Sequence, residues 1–404
     1  MKNGRDAAGS SSSDMGSTPT PFGGNEFAPT LQRWDSASAL PPHCYTSKEW
    51  YDREVETIFL KEWLCAGRAD QVEKPGDYFT IRLLGEPLIV VRDELNEIHV
   101  MSAICRHRAM ELVEGHGNRR SFQCPYHAWT YSLRGELLGA PEMDQTGQFT
   151  RKECRLPELR AEVWEGFIFV NFDPNATSLG PRLASLSKRL KNYDLAELRN
   201  TTPVTFEGNW NWKLMIENAM EFYHVLGLHQ GPHDAMPARL AITEDYNGIY
   251  EAVRGRFAEL GGTLWTESGD HSPFPVIESL TQDQCQRGDF FLIYPTHVFF
   301  VLPDSMVYYQ TLPDGPDRMT LRINICLPRS TIQRADFEQS LKTGRDALLF
   351  INDQDMFACS SVQRGLSSRM APRGRYSHLE QVTWQIAQFI MSRVIKHQAD
   401  LPVA

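Results

Sequence analysis

No stretch of this chain stays apolar for the ~18 residues that a membrane-spanning helix requires, so the sequence offers no candidate span. Cysteine is scarce. Eight in 404 residues are too few for a disulfide framework and suit a reducing, cytoplasmic setting. Basic residues are outnumbered, 41 against 51 acidic, and the net charge of −10 argues against a general nucleic-acid binder while leaving local basic patches open. Residues 1–40 are rich in Ser, Gly and Pro, without the apolar core of a signal peptide or the arginines of a transit peptide. They are expected to form a disordered tail. No internal repeat is visible. What is present is a soluble globular composition, 41% hydrophobic and 23% charged, in a chain long enough for two domains.

Two of the eight cysteines stand apart because each has a histidine close behind it. Cys105-Arg106-His107 and Cys124-Pro125-Tyr126-His127, with sixteen residues between them, each set a thiol beside an imidazole at ligand spacing. Thiolates favour soft metals and imidazole suits zinc or iron. The set therefore admits one zinc, or two irons and two sulfides with the cysteines on one iron and the histidines on the other. Cys44, Cys65, Cys154, Cys285, Cys326 and Cys359 have no such spacing and are read as structural.

Periodicity divides the chain. Trp50, Val55, Ile58, Phe59 and Trp63 recur with helical spacing after a Ser/Thr start, which predicts an N-terminal helix packing on the body over 41–59. Short alternating runs at 78–83, 87–91 and 97–101, a hairpin at 129–137 and a last run at 164–172 are bounded by Gly, Pro and Asp-Asn turns. They predict a small all-β domain over 60–172 with both ligand pairs at its loop tips. From 173 to 404 helix and strand mix. Helical segments at 179–198, 212–229, 335–359 and 377–399 surround a strand at 204–209 and an antiparallel run at 290–327. The fold class is α+β.

The second informative stretch runs from Asn211 to His229. His224 and His229 are five apart, which on an unbroken helix turns them about 140° away from each other. For both to meet one metal the helix has to end or bulge between them, where Gly227 lies. A distant carboxylate from Asn352-Asp353-Gln354-Asp355 would complete the two-histidine, one-carboxylate face that leaves positions open on ferrous iron.

Taken together, these residues resemble the large (α) subunit of Rieske non-haem iron oxygenases over nearly the whole chain after the tail. The C-x-H, spacer, C-x-x-H pattern with Pro-Tyr before the second His fits throughout, and Trp129 supplies the aromatic just beyond it. The catalytic pattern N-W-K-x3-E-N-x2-D-x-Y-H-x4-H fits from Asn211 to His229 with Glu221 in place of the aspartate. Counting back from Val362-Gln363-Arg364-Gly365-Leu366 puts the third iron ligand at Asp355, with Asp353 the runner-up.

The resemblance implies a Rieske 2Fe-2S cluster on Cys105, His107, Cys124 and His127, and a mononuclear Fe(II) on His224, His229 and Asp355. It implies a small all-β Rieske domain and a helix-grip, START-like catalytic domain with an antiparallel sheet. Electrons from NAD(P)H would arrive through a ferredoxin or flavin reductase, and the chain would form a homotrimer, with or without a small β subunit. Glu221 would be the inter-subunit electron-transfer bridge, and Asn218 a further residue near the iron. The expected reaction uses O2 to hydroxylate an aromatic or other small organic substrate, as in aromatic hydrocarbon catabolism. The glutamate variant resembles that of enzymes acting on carnitine and related quaternary ammonium compounds, which makes monooxygenation or N-dealkylation of such a cation the alternative. A zinc-binding protein without catalysis is the distant one. Trp265, Phe274, Phe290, Phe291, Tyr294, Phe299, Phe300, Tyr308 and Tyr309 are candidate pocket aromatics. Arg106, Arg108, Arg119 and Arg120 are a candidate docking patch for an acidic electron donor.

Overall fold

The computed structural model describes residues 25–229, 232–245, 247–259, 261–266 and 271–395. The expected tail is too long by sixteen residues, since 25–40 are packed against the body. Phe27, Ala37 and Leu40 are buried, Phe27 meets Trp50 with 5.5 Å between ring centroids, and Arg373 donates to the carbonyls of Glu26 and Ala39. A few apolar side chains in a Ser/Pro-rich stretch are enough to dock it. Residues 1–24 lie outside the described residues.

The runs at 78–83, 87–91 and 97–101 are strands to within a residue, while the run at 164–172 narrows to Phe167–Asn171 and the strands Leu64–Arg68, His116–Asn118, Phe122–Gln123 and Arg160–Trp164 were not expected. Asp77–Leu83, Glu86–Arg92, Ile98–Ser102 and His116–Asn118 form a four-stranded antiparallel sheet. Phe122–Gln123, Thr130–Tyr131 and Leu137–Gly139 form a three-stranded one. Tyr78, Ile89, Val91, Met101, Phe122 and Tyr131 share one core with the two ligand cysteines. A third sheet sets Phe167–Asn171 between Leu64–Arg68 and Arg160–Trp164. Its buried Arg68 donates from Nη2 to the carbonyls of Leu195 at 2.6 Å and Leu198 at 3.1 Å, which ties this sheet to the second half of the chain.

The second half is built on an eight-stranded antiparallel sheet. Met319–Leu327 pairs with Met306–Pro313, then come His297–Val301, Arg287–Ile293 and Tyr250–Arg256. Because side chains alternate along a strand, neighbouring aromatics part company. Phe291, Phe299 and Tyr308 point to a core shared with Trp164, Phe167 and Phe169 of the third sheet. Phe290, Phe300, Val307 and Tyr309 point the other way, into a cavity.

Helix Phe337–Leu366 closes over that cavity. Its buried positions are Gly344, Leu348, Asn352, Asp355, Cys359 and Gln363, a stripe at steps of three and four residues in which three members are polar. Gly344 sits so close to Phe274 that a Cβ would lie 2.8 Å from the ring. Among the described residues no helix is long and apolar enough to cross a membrane.

Candidate metal centres and active-site pocket

The two Cys/His loops are the same turn built twice. Cys105 N–H bonds the Met110 carbonyl and Ala109 N–H returns to the Cys105 carbonyl; Cys124 N–H bonds the Trp129 carbonyl and Ala128 N–H returns to Cys124. Ala109 and Ala128 both take the left-handed conformation, with φ of 57° and 59°. This presents two buried thiols and two exposed imidazoles at one tip. The rings of His107 and His127 are 4.7 Å apart, and His107 stacks on Trp129 at 4.8 Å. Burial, with His127 and Arg108 adjacent, lowers the His107 pKa and favours the neutral, ligating ring. Tyr131 Oη accepts from Arg106 N–H at 3.0 Å, which leaves its own proton to point at Cys105 Sγ 3.4 Å away. Two soft donors on one side and two imidazoles on the other suit a [2Fe–2S] cluster in its asymmetric form.

The helix expected over 212–229 is shorter than that. It spans Trp212–Met220 and stops at Glu221, whose backbone is extended. The Glu221 carboxylate accepts the backbone N–H groups of Tyr223 and His224, so the chain turns and restarts as the four-residue helix Val225–Leu228. Gly227, the expected breaking point, lies inside that short helix, which ends instead at His229, whose backbone is extended. His224 Nε2 and His229 Nε2 come to 3.2 Å from each other, and Asp355 Oδ1 lies 3.7 Å from the first and 3.1 Å from the second. Ligand atoms at about 2.1 Å from an ion and at right angles are roughly 3 Å apart, so the three fit one face of an octahedral ion. Asp355 Oδ1 is buried and has no hydrogen-bond partner, as a ligand oxygen would be. Asp353 is exposed.

Both rings are aimed from behind. His224 Nδ1 meets Glu221 Oε1 at 2.8 Å, and His229 Nδ1 meets Gln354 Oε1 at 2.7 Å. Such partners hold the proton on Nδ1 and turn the Nε2 lone pair toward the centre. Burial works against a charged His229, yet Asp355 and Gln354 outweigh it and raise its pKa, so the site calls for positive charge between rings and carboxylate.

Helix Trp212–Met220 is itself anchored. Asn211 caps it by accepting from Lys213 N–H at 3.1 Å. Lys213 Nζ and the indole N–H groups of Trp50 and Trp212 converge on the carboxylate of Glu54 at 2.7, 2.7 and 2.8 Å, all buried. Tyr45 Oη donates to Glu217 Oε1 at 2.8 Å, and burial pushes the Glu217 carboxyl up to about 8 despite that bond.

The three converging groups open onto a cavity of about 820 Å³, its mouth included. Asn218, Phe222, Trp265, Phe290, Phe300, Leu302, Tyr309, Leu348 and Asn352 line it. Of the candidate aromatics, Trp265, Phe290, Phe300 and Tyr309 reach the cavity, while Phe274, Phe291, Tyr294, Phe299 and Tyr308 pack elsewhere. Tyr131, Asn352 and the supporting role of Gln354 escaped the sequence reading. The polar members of the 344–363 stripe were the available signal, since a buried polar residue needs a reason. A further Asp93, Glu97, His99 group has ligand atoms close together, but Asp93 already accepts from Arg134, His99 and two backbone N–H groups, so it locks a turn.

Residues 62–153 match the Rieske [2Fe-2S] domain family, and residues 195–396 match the ring hydroxylating alpha subunit (catalytic domain) family. The carnitine monooxygenase oxygenase subunit of Acinetobacter baumannii is 32% identical over 348 residues, covering 83% of this chain and 87% of the relative. The chloroplastic choline monooxygenase of Arabidopsis thaliana is 27% identical over 371 residues, covering 88% and 82%. A crystal structure of the quaternary ammonium Rieske monooxygenase CntA superposes with a TM-score of 0.79 at 25% identity, covering 93% of this chain and 99% of that one. The chain belongs to the Rieske non-haem iron oxygenases, as the α-type oxygenase component that depends on a 2Fe–2S cluster, a mononuclear iron and an electron-delivering partner.

Proposed function

We propose that this oxygenase acts on a small quaternary ammonium compound or related amine, inserting oxygen at a C–H bond next to nitrogen. The observation that carries the reading is the aromatic wall of the cavity beside His224, His229 and Asp355. Aromatic faces attract organic cations. The glutamate at position 221 and the oxygenases on carnitine and choline among the relatives lend further support.

When bound, a cluster on Cys105, His107, Cys124 and His127 supplies single electrons, and iron on His224, His229 and Asp355 supplies oxygen activation. The protein's own contribution is placement. Glu221 and Gln354 hold the Nδ1 protons of the two histidines and so fix both rings. The cavity wall keeps the substrate among apolar groups and limits water. Asn218, with its Oδ1 buried and unpaired at the cavity, is placed to accept a hydrogen bond from a bound molecule.

Exposure supports a mode of assembly. The cluster tip leaves Tyr126 at 55% and Met110 at 42% exposed, and the Glu221 turn leaves Tyr223 at 49% and Leu226 at 53%. Two apolar patches, each beside one centre, suit a head-to-tail homotrimer in which Glu221 bridges to a cluster histidine of the next subunit. The exposed Arg106, Arg108, Arg119 and Arg120 suit an acidic ferredoxin or reductase in the cytoplasm.

The test is turnover. With a matched NAD(P)H-driven reductase, O2 uptake should couple to product from quaternary amines, and coupled product from arenes alone sinks the proposal. Glu221→Gln should keep cluster absorption and iron while cutting turnover at least ~100-fold; unchanged turnover removes the bridge assignment.

A further inference from the structure

We infer that the pocket selects a cation carrying no carboxylate, an inference that rests on the amine reading above and narrows it. Among the described residues, the carboxylates and imidazoles that line the cavity are those of Glu221, Asp355, His224 and His229. Among the described residues no lysine or arginine lines it. The internal positions outside the described set, 230, 231, 246, 260 and 267–270, contain neither residue type. Beyond an iron held by His224, His229 and Asp355, a carboxylate arm in this cavity has no basic side chain to pair with among the described residues. An unpaired buried charge is the costly case.

The aromatic lining suits the other end of such a molecule. Phe222 and Phe290 are 5.0 Å apart between centroids, Phe290 and Phe300 4.7 Å, and Phe300 and Tyr309 5.1 Å. Phe290, Phe300 and Tyr309 come from three neighbouring strands and Phe222 from the turn after helix Trp212–Met220, so a methylated ammonium in the cavity would meet aromatic side chains from four positions.

Two of the polar groups nearby are committed. Tyr309 Oη donates to Asn352 Oδ1 at 2.9 Å, and Asn352 Nδ2 donates to the Leu348 carbonyl at 2.9 Å. Asn218 Oδ1 is buried without a donor. An open acceptor answers a hydroxyl. Choline and glycine betaine make a matched pair for this wall. They share the trimethylammonium head, and one carries a hydroxymethyl where the other carries the carboxylate.

Calorimetric titration of the metal-loaded protein with choline, tetramethylammonium, glycine betaine, carnitine and 3,3-dimethylbutanol (the neutral carbon isostere of choline) tests this. Choline and tetramethylammonium should bind about tenfold or more tightly than glycine betaine and carnitine, and choline about tenfold more tightly than its isostere. Phe300→Leu should weaken both favoured cations while leaving the isostere unchanged, which separates lost cation contact from a damaged fold. Equal or tighter binding of the two zwitterions overturns the inference and leaves the amine reading standing. Binding of the isostere as tightly as choline, or of no cation at all, overturns both.

Discussion

Gln354 and Asp353 are neighbours in sequence with opposite fates. Gln354 accepts from His229 at 2.7 Å, while Asp353 is exposed. A neutral carboxamide orients the ring without adding charge beside the metal face. Gln354→Leu should therefore fold and keep its cluster, yet hold iron roughly tenfold less tightly, the usual scale for losing a partner of a ligating histidine. Iron retained after dialysis against a chelator measures this, and retention equal to the parent would show that the bond orients nothing. The same assay on Asp353→Ala and Asp355→Ala should remove iron only in the second.

At the scale of the element, the twin loops make the sharpest case. Left-handed alanine costs about 1–2 kcal/mol relative to its preferred conformations, and a β-branched side chain costs more. Ala109→Gly and Ala128→Gly should leave the visible absorption of the cluster intact. Ala109→Val and Ala128→Val should lower cluster content, and full retention in both would mean that the turn is not what sets the four donors.

The strands around these loops were legible because Gly, Pro and Asp-Asn turns punctuate an alternating pattern. So were the ligands, whose residue types and spacing are unusual. The end of the helix at Glu221 was not. Neither glycine nor proline marks it, and the break comes from a glutamate folding back on the N–H groups of Tyr223 and His224, a role usually taken by shorter side chains. The pocket was half legible. Each strand carries adjacent aromatics, and only the register decides which one faces the cavity.

For the whole molecule, Glu251 ties stability to pH. It is 1% exposed, accepts from Tyr294 Oη and leaves Oε2 unpaired. Burial pushes its carboxyl up to about 8, although the Tyr294 bond opposes this, whereas an unfolded glutamate titrates near 4.3. Between those values the folded protein keeps a proton that the unfolded chain has lost. This contribution is complete below about pH 4 and is lost as pH rises toward about 8. Glu251→Gln should flatten that decline, so its melting temperature should gain on the parent steadily from pH 5 to pH 8. A gap that does not change with pH would exclude Glu251 as the source.

The large sheet finally separates two kinds of change by a single step along the chain. Positions 290, 300, 307 and 309 face the cavity, while 291, 299 and 308 face the seam with the first half. Natural drift or a mutagenic library confined to the first set can retune chemistry without loosening the joint. The same strands thus offer an evolving lineage a dial for substrate on one side and a fixed hinge-plate on the other.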